Sequence, residues 1–237
     1  MTDFDTAMVL AAGLGTRIRS KFPDVPKPLV PVLGKPLIDY TLDLLQDGGV
    51  KRAVVNVHHL ADQIEHHLVD RTQPNIVISD EREELLETGG GILKALGELG
   101  NKPFFSVNTD AIIMGRKENP ARQLANAWGD AADALLLLVP LSAASGYIGE
   151  GDFALSASGD ILPKDQGQAY IFTGLQLLRP SLFEGHRVAK VSTRMFWDIA
   201  QERGRFKGVV LDGAWMHVGD PDGHAAAEER LTTRNGL

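Results

Sequence analysis

The sequence predicts an α/β fold, a mostly parallel sheet with helices packed on both faces. Two observations lead there. Short apolar runs alternate with helical stretches through residue 140, and strand–helix–strand alternation is how parallel neighbours are connected. The residue clusters able to carry chemistry each follow an apolar run, after residue 12, after Ser79 and after Asn108. In open parallel sheets ligands bind outside the carboxyl ends of the strands.

Residues 6–12 (TAMVLAA) are short, apolar and stopped by glycine, so they read as a buried strand. A glycine-rich turn at 13–17 and a proline-rich stretch ending at 26–29 follow. Pro36 opens a helix to Gln46, closed by Gly48 and Gly49. Residues 52–57 form a strand, 61–69 a helix and 75–79 a strand. Gly89, Gly90 and Gly91 precede a helix through Leu99. Residues 103–108 form a strand ending at Thr109 and Asp110, 119–129 a helix, and 134–140 (ALLLLVP) another buried strand. The later chain is less regular. Gly, Ser and Asp between 146 and 165 predict hairpins and loops, 169–178 a strand, 191–203 a helix, and 206–211 and 215–218 short strands. Asp220 before Pro221 is a helix start with the aspartate as cap. There is no internal repeat, and a boundary near residue 141 would leave the later part too small for its own core.

Composition narrows the function classes. The chain has 237 residues, 43% apolar and 23% charged, as expected of a globular protein. No apolar run approaches the roughly 18 residues needed to cross a bilayer, and the acidic start (Met1 to Asp5) is no secretory signal. Without cysteine, disulfides and thiolate zinc sites are excluded, and a reducing, cytoplasmic compartment fits. A net charge of −7 argues against broad nucleic-acid binding. The expected partners are therefore small molecules, with neither nucleic acid nor membrane, and a homodimer stays open.

A small basic cluster stands out in this acidic chain. Gly13 and Gly15 follow a strand, where glycine lets backbone N–H groups approach a phosphate. Arg17 can hold phosphate oxygens through its planar fork, and Lys27, between Pro26 and Pro28, is a charge on a stiff backbone. Taken alone, a Gly-x-Gly after a strand is often only a tight turn. No Gly-x4-Gly-Lys-Ser/Thr loop is present, and Ile18 occupies the third glycine position of a dinucleotide fingerprint, which argues against a dehydrogenase.

The full string is more specific. Leu10-Ala11-Ala12-Gly13-Leu14-Gly15-Thr16-Arg17 followed by Pro26-Lys27-Pro28-Leu29-Val30-Pro31 resembles the signature of sugar-1-phosphate nucleotidyltransferases. The resemblance covers about residues 6–230. It implies a Rossmann-like domain of the nucleotide-diphospho-sugar transferase type over 1–237, with a nucleotide-binding half at 1–140 and a sugar-binding half at 141–237. By resemblance, the turn of Ala11, Ala12, Gly13, Gly15 and Thr16 wraps a triphosphate that Arg17 and Lys27 neutralise. Glu87, Thr88, Gly89 and Asn108 then lie along the nucleotide. Three consecutive glycines cost helix propensity, which suggests close ligand approach. An ionised Glu87 accepts hydrogen bonds only, so it suits N3–H of uracil, or N1–H and the amine of guanine, and leaves UTP and GTP open.

Asp110 falls where the family carries a metal-binding aspartate, and its carboxylate suits Mg²⁺. The second metal aspartate of a Trp-x-Asp-x-Gly-Thr pattern is replaced here by His217, in Trp215-Met216-His217-Val218-Gly219-Asp220. Imidazole suits softer divalent ions better, so the expected cofactor is Mg²⁺ with Mn²⁺ tolerated or preferred. Asp220, three residues on, is a helix cap in this reading. On the sugar side the resemblance selects Gly151, Asp152, Thr173 and Gly174; Gly149 to Phe153 resembles muramate-sugar uridylyltransferases in particular, while Lys164 stands where many relatives have a Glu-Lys-Pro string.

The implied reaction is displacement at the α-phosphorus by a sugar phosphate already ionised at neutral pH, so no general base is needed. The catalytic candidates are Arg17, Lys27 and Asp110. The leading expectation is uridylyl transfer to N-acetylmuramate 1-phosphate in cell-wall sugar recycling. The alternatives are guanylyl transfer to a mannose or heptose phosphate, and a non-catalytic nucleotide-sugar-binding module, which the His217 departure keeps open.

Overall fold

The structure is a computed structural model and describes residues 4–234. Its centre is a nine-stranded sheet. β1 (Thr6–Leu10) pairs in parallel with β4 (Arg52–Val57) and with β6 (Phe104–Asn108), and β5 (Asn75–Asp80) continues in parallel beyond β4. β12 (Tyr170–Leu178) runs antiparallel to β6 and to β8 (Ala134–Pro140), and β13 (Phe206–Val210) lies parallel to β8. A hairpin of β10 (Phe153–Leu155) and β11 (Ile161–Pro163) extends the sheet from β12, as the polar 146–165 segment led us to expect. Strands from before and after residue 140 therefore share one sheet.

The alternating side chains of β1 assign the helices to faces. Ala7 and Val9 join the core under α1 (Leu37–Gly48), α2 (Ala61–Leu68) and α4 (Pro120–Ala127) through Ile38, Leu42, Ile64 and Leu124. Met8 points the other way, against α3 (Glu87–Leu99) and α5 (Arg194–Glu202), where Ile92 and Phe196 are fully buried. A third cluster seats α6 (Pro221–Arg234) by Ala227 and Leu231 on Val30, Val32, Ile112 and Met216. Local signals place several ends. Asn119 caps α4 by accepting from the Ala121 and Arg122 amides, with Pro120 in the first turn. Asp220 Oδ1 accepts from the Gly223 amide at 2.9 Å, so it caps α6 as expected.

One element was not read from the sequence and another departs from expectation. The chain after Asp110 continues as a strand. β7 (Ala111–Gly115) forms a second sheet with β14 (Gly213–His217) and β9 (Ala144–Ser145), with Ala111, Ile112 and Ile113 buried in the clusters that hold α1 and α6. The three glycines do not precede α3 but form its first turn. A short ribbon, β2 (Pro31–Val32) with β3 (Lys35–Pro36), follows the proline-rich stretch.

Candidate active site

At the carboxyl ends of β1, β4 and β6 lies a cleft of about 400 Å³, a size that suits a small ligand. Of the sequence-predicted residues, Ala11, Ala12, Gly13, Gly15, Lys27, Glu87, Thr88, Asn108 and Asp110 line it together. Gly15 has φ +59, and a Cβ there would stand 2.8 Å from Lys27 Cβ. Glycine thus lets the turn close onto the lysine. Lys27 sits in a single helical turn fixed by Pro26 and Pro28.

Lys27 Nζ donates to Asp110 Oδ2 at 3.0 Å. Asp110 ends the β6–β7 turn, and its carbonyl accepts from the Val218 amide at 2.8 Å. That bond, with the β7–β14 register pairing Ala111 and His217, brings His217 Nε2 to 3.8 Å from Asp110 Oδ2. At that distance the pair is an ionic neighbour and not a hydrogen bond. The His217 ring stacks on Trp215 at 5.6 Å, and Nδ1 lies 3.3 Å from the Gly146 carbonyl. A carbonyl only accepts, so Nδ1 carries a proton, and Nε2 is the ring nitrogen turned toward Asp110. Burial alone would raise the Asp110 carboxyl, but His217 and Lys27 hold it well below the usual carboxylate range.

Thr16 and Arg17 are exposed at the rim and do not line the cleft. Arg17 Nη2 approaches Gly219, where a Cβ would lie 3.1 Å from it and 2.8 Å from His217 Nε2, so Gly219 leaves room for both side chains.

Glu87 is exposed into the cleft and has φ +61. A residue with a Cβ is strained there, a feature that concentrates at functional positions. The neighbouring glycines correct the expectation of close ligand approach. The Gly89 and Gly90 amides both donate to the Val191 carbonyl, and a Cβ at Gly89 or Gly90 would strike the backbone of Ser192 or Ala189. These glycines admit residues 189–192 against α3, and Gly89 does not line the cleft. That packing also explains why residues 191–193 stay outside α5.

The sugar-side residues divide. Thr173 is 2% exposed and its hydroxyl donates to the Leu137 carbonyl at 2.9 Å, so the expectation that it meets a ligand is not met. Gly174 packs on Asn108, whose side chain reaches the cleft. Gly151 and Asp152 stand outside the cleft, and Asp152 Oδ2 accepts from the Phe172 amide, which fixes the start of the hairpin. Their loop is tied to the site by Tyr147, edge-on to Trp215 at 5.9 Å. Lys164 pairs with Glu150 at 3.1 Å on the exposed surface. Sequence reasoning missed Asn56, Leu85 and Ser192, which also line the cleft. Asn56 had a signal, as the polar residue of an otherwise apolar strand end (AVVNV).

A Gly-rich turn, a lysine paired with a strand-end aspartate and a carboxylate on the facing wall define a nucleotidyltransferase site. The chain belongs to the MobA-like NTP transferase family, whose model matches residues 7–144, and within it to the enzymes that act on sugar 1-phosphates. It is 43% identical over 232 residues to N-acetylmuramate alpha-1-phosphate uridylyltransferase of Caulobacter vibrioides, covering 95% of this chain and 96% of that one. The corresponding enzyme of Neisseria meningitidis is 36% identical, covering 90% of this chain and 92% of that one. Among solved structures, HddC from Yersinia pseudotuberculosis complexed with GMP-PN superposes with a TM-score of 0.76 at 25% identity, covering 96% of this chain and 100% of that one. Ile18, buried in the third cluster, takes no part in a dinucleotide turn, and the dehydrogenase alternative falls.

Proposed function

We propose that this chain joins UTP to N-acetylmuramate 1-phosphate, forming the UDP-sugar and pyrophosphate. The carrying observation is the cleft itself, whose lining brings together the glycine turn, Glu87 and the Lys27–Asp110 pair at 3.0 Å. The two relatives named above support the choice of substrates.

A phosphate oxygen of the sugar 1-phosphate attacks the α-phosphorus, and the bond from that phosphorus to the bridging oxygen breaks, releasing pyrophosphate. The difficulty is bringing anions together, so catalysis rests on positioning and charge neutralisation. In our proposal the amides of the glycine turn cradle the triphosphate and Lys27 stabilises charge building at the α-phosphate. Arg17, at the rim, steadies the outer phosphates. Glu87 accepts from N3–H of uracil. Asn108 and Gly174 mark where the sugar enters.

Asp110 and His217 fit a divalent cation. One offers an ionised carboxylate, the other an imidazole oriented by the Gly146 carbonyl at Nδ1, whose Nε2 faces the carboxylate and would serve as the ligand atom. Among the described residues no group of three metal-binding side chains occurs, so an ion held by these two would take its remaining ligands from substrate phosphates and water. When bound, such an ion would supply further neutralisation of phosphate charge.

Titration calorimetry with UTP, CTP and GTP in the presence of Ca²⁺ tests the nucleotide assignment. UTP should bind more tightly than CTP, because cytosine has a bare acceptor at N3 where uracil carries the N3–H that a carboxylate accepts. CTP binding equal to that of UTP would remove Glu87 from base recognition. GTP binding tighter than UTP would favour guanylyl transfer.

A further inference from the structure

The carboxyl ends of β1, β4 and β5 are joined by a buried chain of hydrogen bonds that no step above uses. The Ala11 amide donates to Asn56 Oδ1 at 2.7 Å, and Asn56 Nδ2 donates to Glu81 Oε1 at 2.8 Å. Glu81 Oε2 accepts from the Leu86 amide at 3.2 Å. Asn56 is 2% exposed and Glu81 1%. A carboxylate at that depth is costly unless its oxygens are satisfied, and here two neutral N–H groups satisfy them. Gly91 shows that space is kept for the pair, since a Cβ there would lie 2.8 Å from both Asn56 Nδ2 and Glu81 Oε1.

The two ends of this chain are the two walls of the cleft. Ala11 begins the phosphate turn, and Leu86 directly precedes the strained Glu87. We propose that Asn56 and Glu81 are positioning residues that couple the phosphate turn to the base wall, so that selection of the nucleobase depends on a buried pair behind Glu87. This rests on the nucleotide reading above.

The chain has a fixed polarity. Two backbone donors stand at its ends. Between them, an amide that accepts on one side and donates on the other meets a carboxylate that accepts on both. Glu81→Gln leaves two N–H groups facing each other however its amide is turned. Asn56→Asp sets two carboxylates together. The double variant restores the match, because the aspartate accepts from Ala11 and from the glutamine amide, whose oxygen accepts from Leu86.

Wild type, N56D, E81Q and N56D/E81Q should be compared by amide hydrogen exchange without ligand and by steady-state kinetics. We expect E81Q to lower protection at Leu86 or Ala11 about tenfold and to raise KM for UTP by a similar factor, the order for one buried unsatisfied donor. KM for the sugar phosphate should not move, which a general loss of structure would not achieve. The double variant should regain most of the lost protection. Exchange is the primary readout, because a carboxylate moved to position 56 adds charge where phosphates bind. Gly91→Ala, which wedges the pair apart without altering polarity, should lower the same two protections. Wild-type protection and UTP KM in E81Q and Gly91→Ala would overturn the proposal, as would a double variant no better than the worse single one. Exchange that follows the cycle in a wild-type protein unable to turn over any nucleotide would uphold the coupling of the walls and overturn the functional reading.

Discussion

Glu87→Gly should make the protein more stable and less able to bind its nucleotide. Glu87 has φ +61, where a residue with a Cβ is strained by roughly 1–2 kcal/mol. Its side chain is exposed, so truncation opens no cavity. Glycine removes the strain but gives the unfolded chain more freedom, which costs roughly 0.5–1 kcal/mol. The net gain is then about 0–1.5 kcal/mol, centred on about 0.75, or about 1.5–3 °C in Tm at that centre for a chain of this length. The carboxylate is lost as well. A hydrogen bond to a charged group contributes roughly 1.5–3 kcal/mol, so KM for UTP should rise about 10- to 100-fold. Glu87→Ala is the control, with the same lost acceptor but a Cβ kept at positive φ. Ligand-free thermal unfolding and steady-state pyrophosphate release measure the two effects. A Glu87→Gly protein melting at or below Glu87→Ala would refute the strain argument, and an unchanged UTP KM in both would refute the base contact.

Three further outcomes follow from named contacts. Lys27→Ala should cut kcat by at least the roughly 10²-fold typical of losing one charge-stabilising donor, and near-normal turnover would remove Lys27 from the mechanism. Asp133, 3% exposed, joins the starts of β8 and β13 and the end of β12 through Arg179, Arg203 and Arg205 at 3.2, 3.1 and 2.7 Å. Burial would raise its carboxyl, but Arg205 and Arg203 hold it below the ordinary value. The contribution of a carboxylate depressed in this way is present above about pH 4 and is lost as pH falls through the folded value. Asp133→Asn should therefore lower stability at pH 7 by about 1–2 kcal/mol and make the acid limb of a Tm profile shallower; an unchanged limb would contradict this. With imidazole beside Asp110, Mn²⁺ should support turnover at least as well as Mg²⁺, and His217→Asp should shift preference toward Mg²⁺. Better activity with Mg²⁺ in the wild type would count against His217 as a ligand.

Much of this was legible because it is local. The glycine turn after β1, the stiff Pro26-Lys27-Pro28 segment and the Asp220 cap are each written within a few residues. What escaped depends on contacts distant in sequence. β7 went unread because its partner β14 lies about a hundred residues on. Nothing in the run Glu81, Glu83, Glu84, Glu87 sets Glu81 apart by sequence, and only its approach to Asn56 reveals a buried carboxylate. The three glycines suggested a ligand, but what touches them is protein, residues 189–192 and the Asn56–Glu81 pair. Thr173 was placed by resemblance, and the register shift in β12 between Phe172 and Gln176 accompanies its turn into the core.

Pyrophosphate release from a matrix of nucleoside triphosphates and sugar 1-phosphates, with Mg²⁺ and Mn²⁺ in parallel, tests the central claim most directly. We expect release with UTP and N-acetylmuramate 1-phosphate and with no other pair at a comparable rate. Release with GTP and a mannose- or heptose-type phosphate would keep the mechanism and contradict the substrates; no release from any pair, in protein that still binds a nucleotide, would contradict the assignment of Lys27, Asp110 and His217 to catalysis.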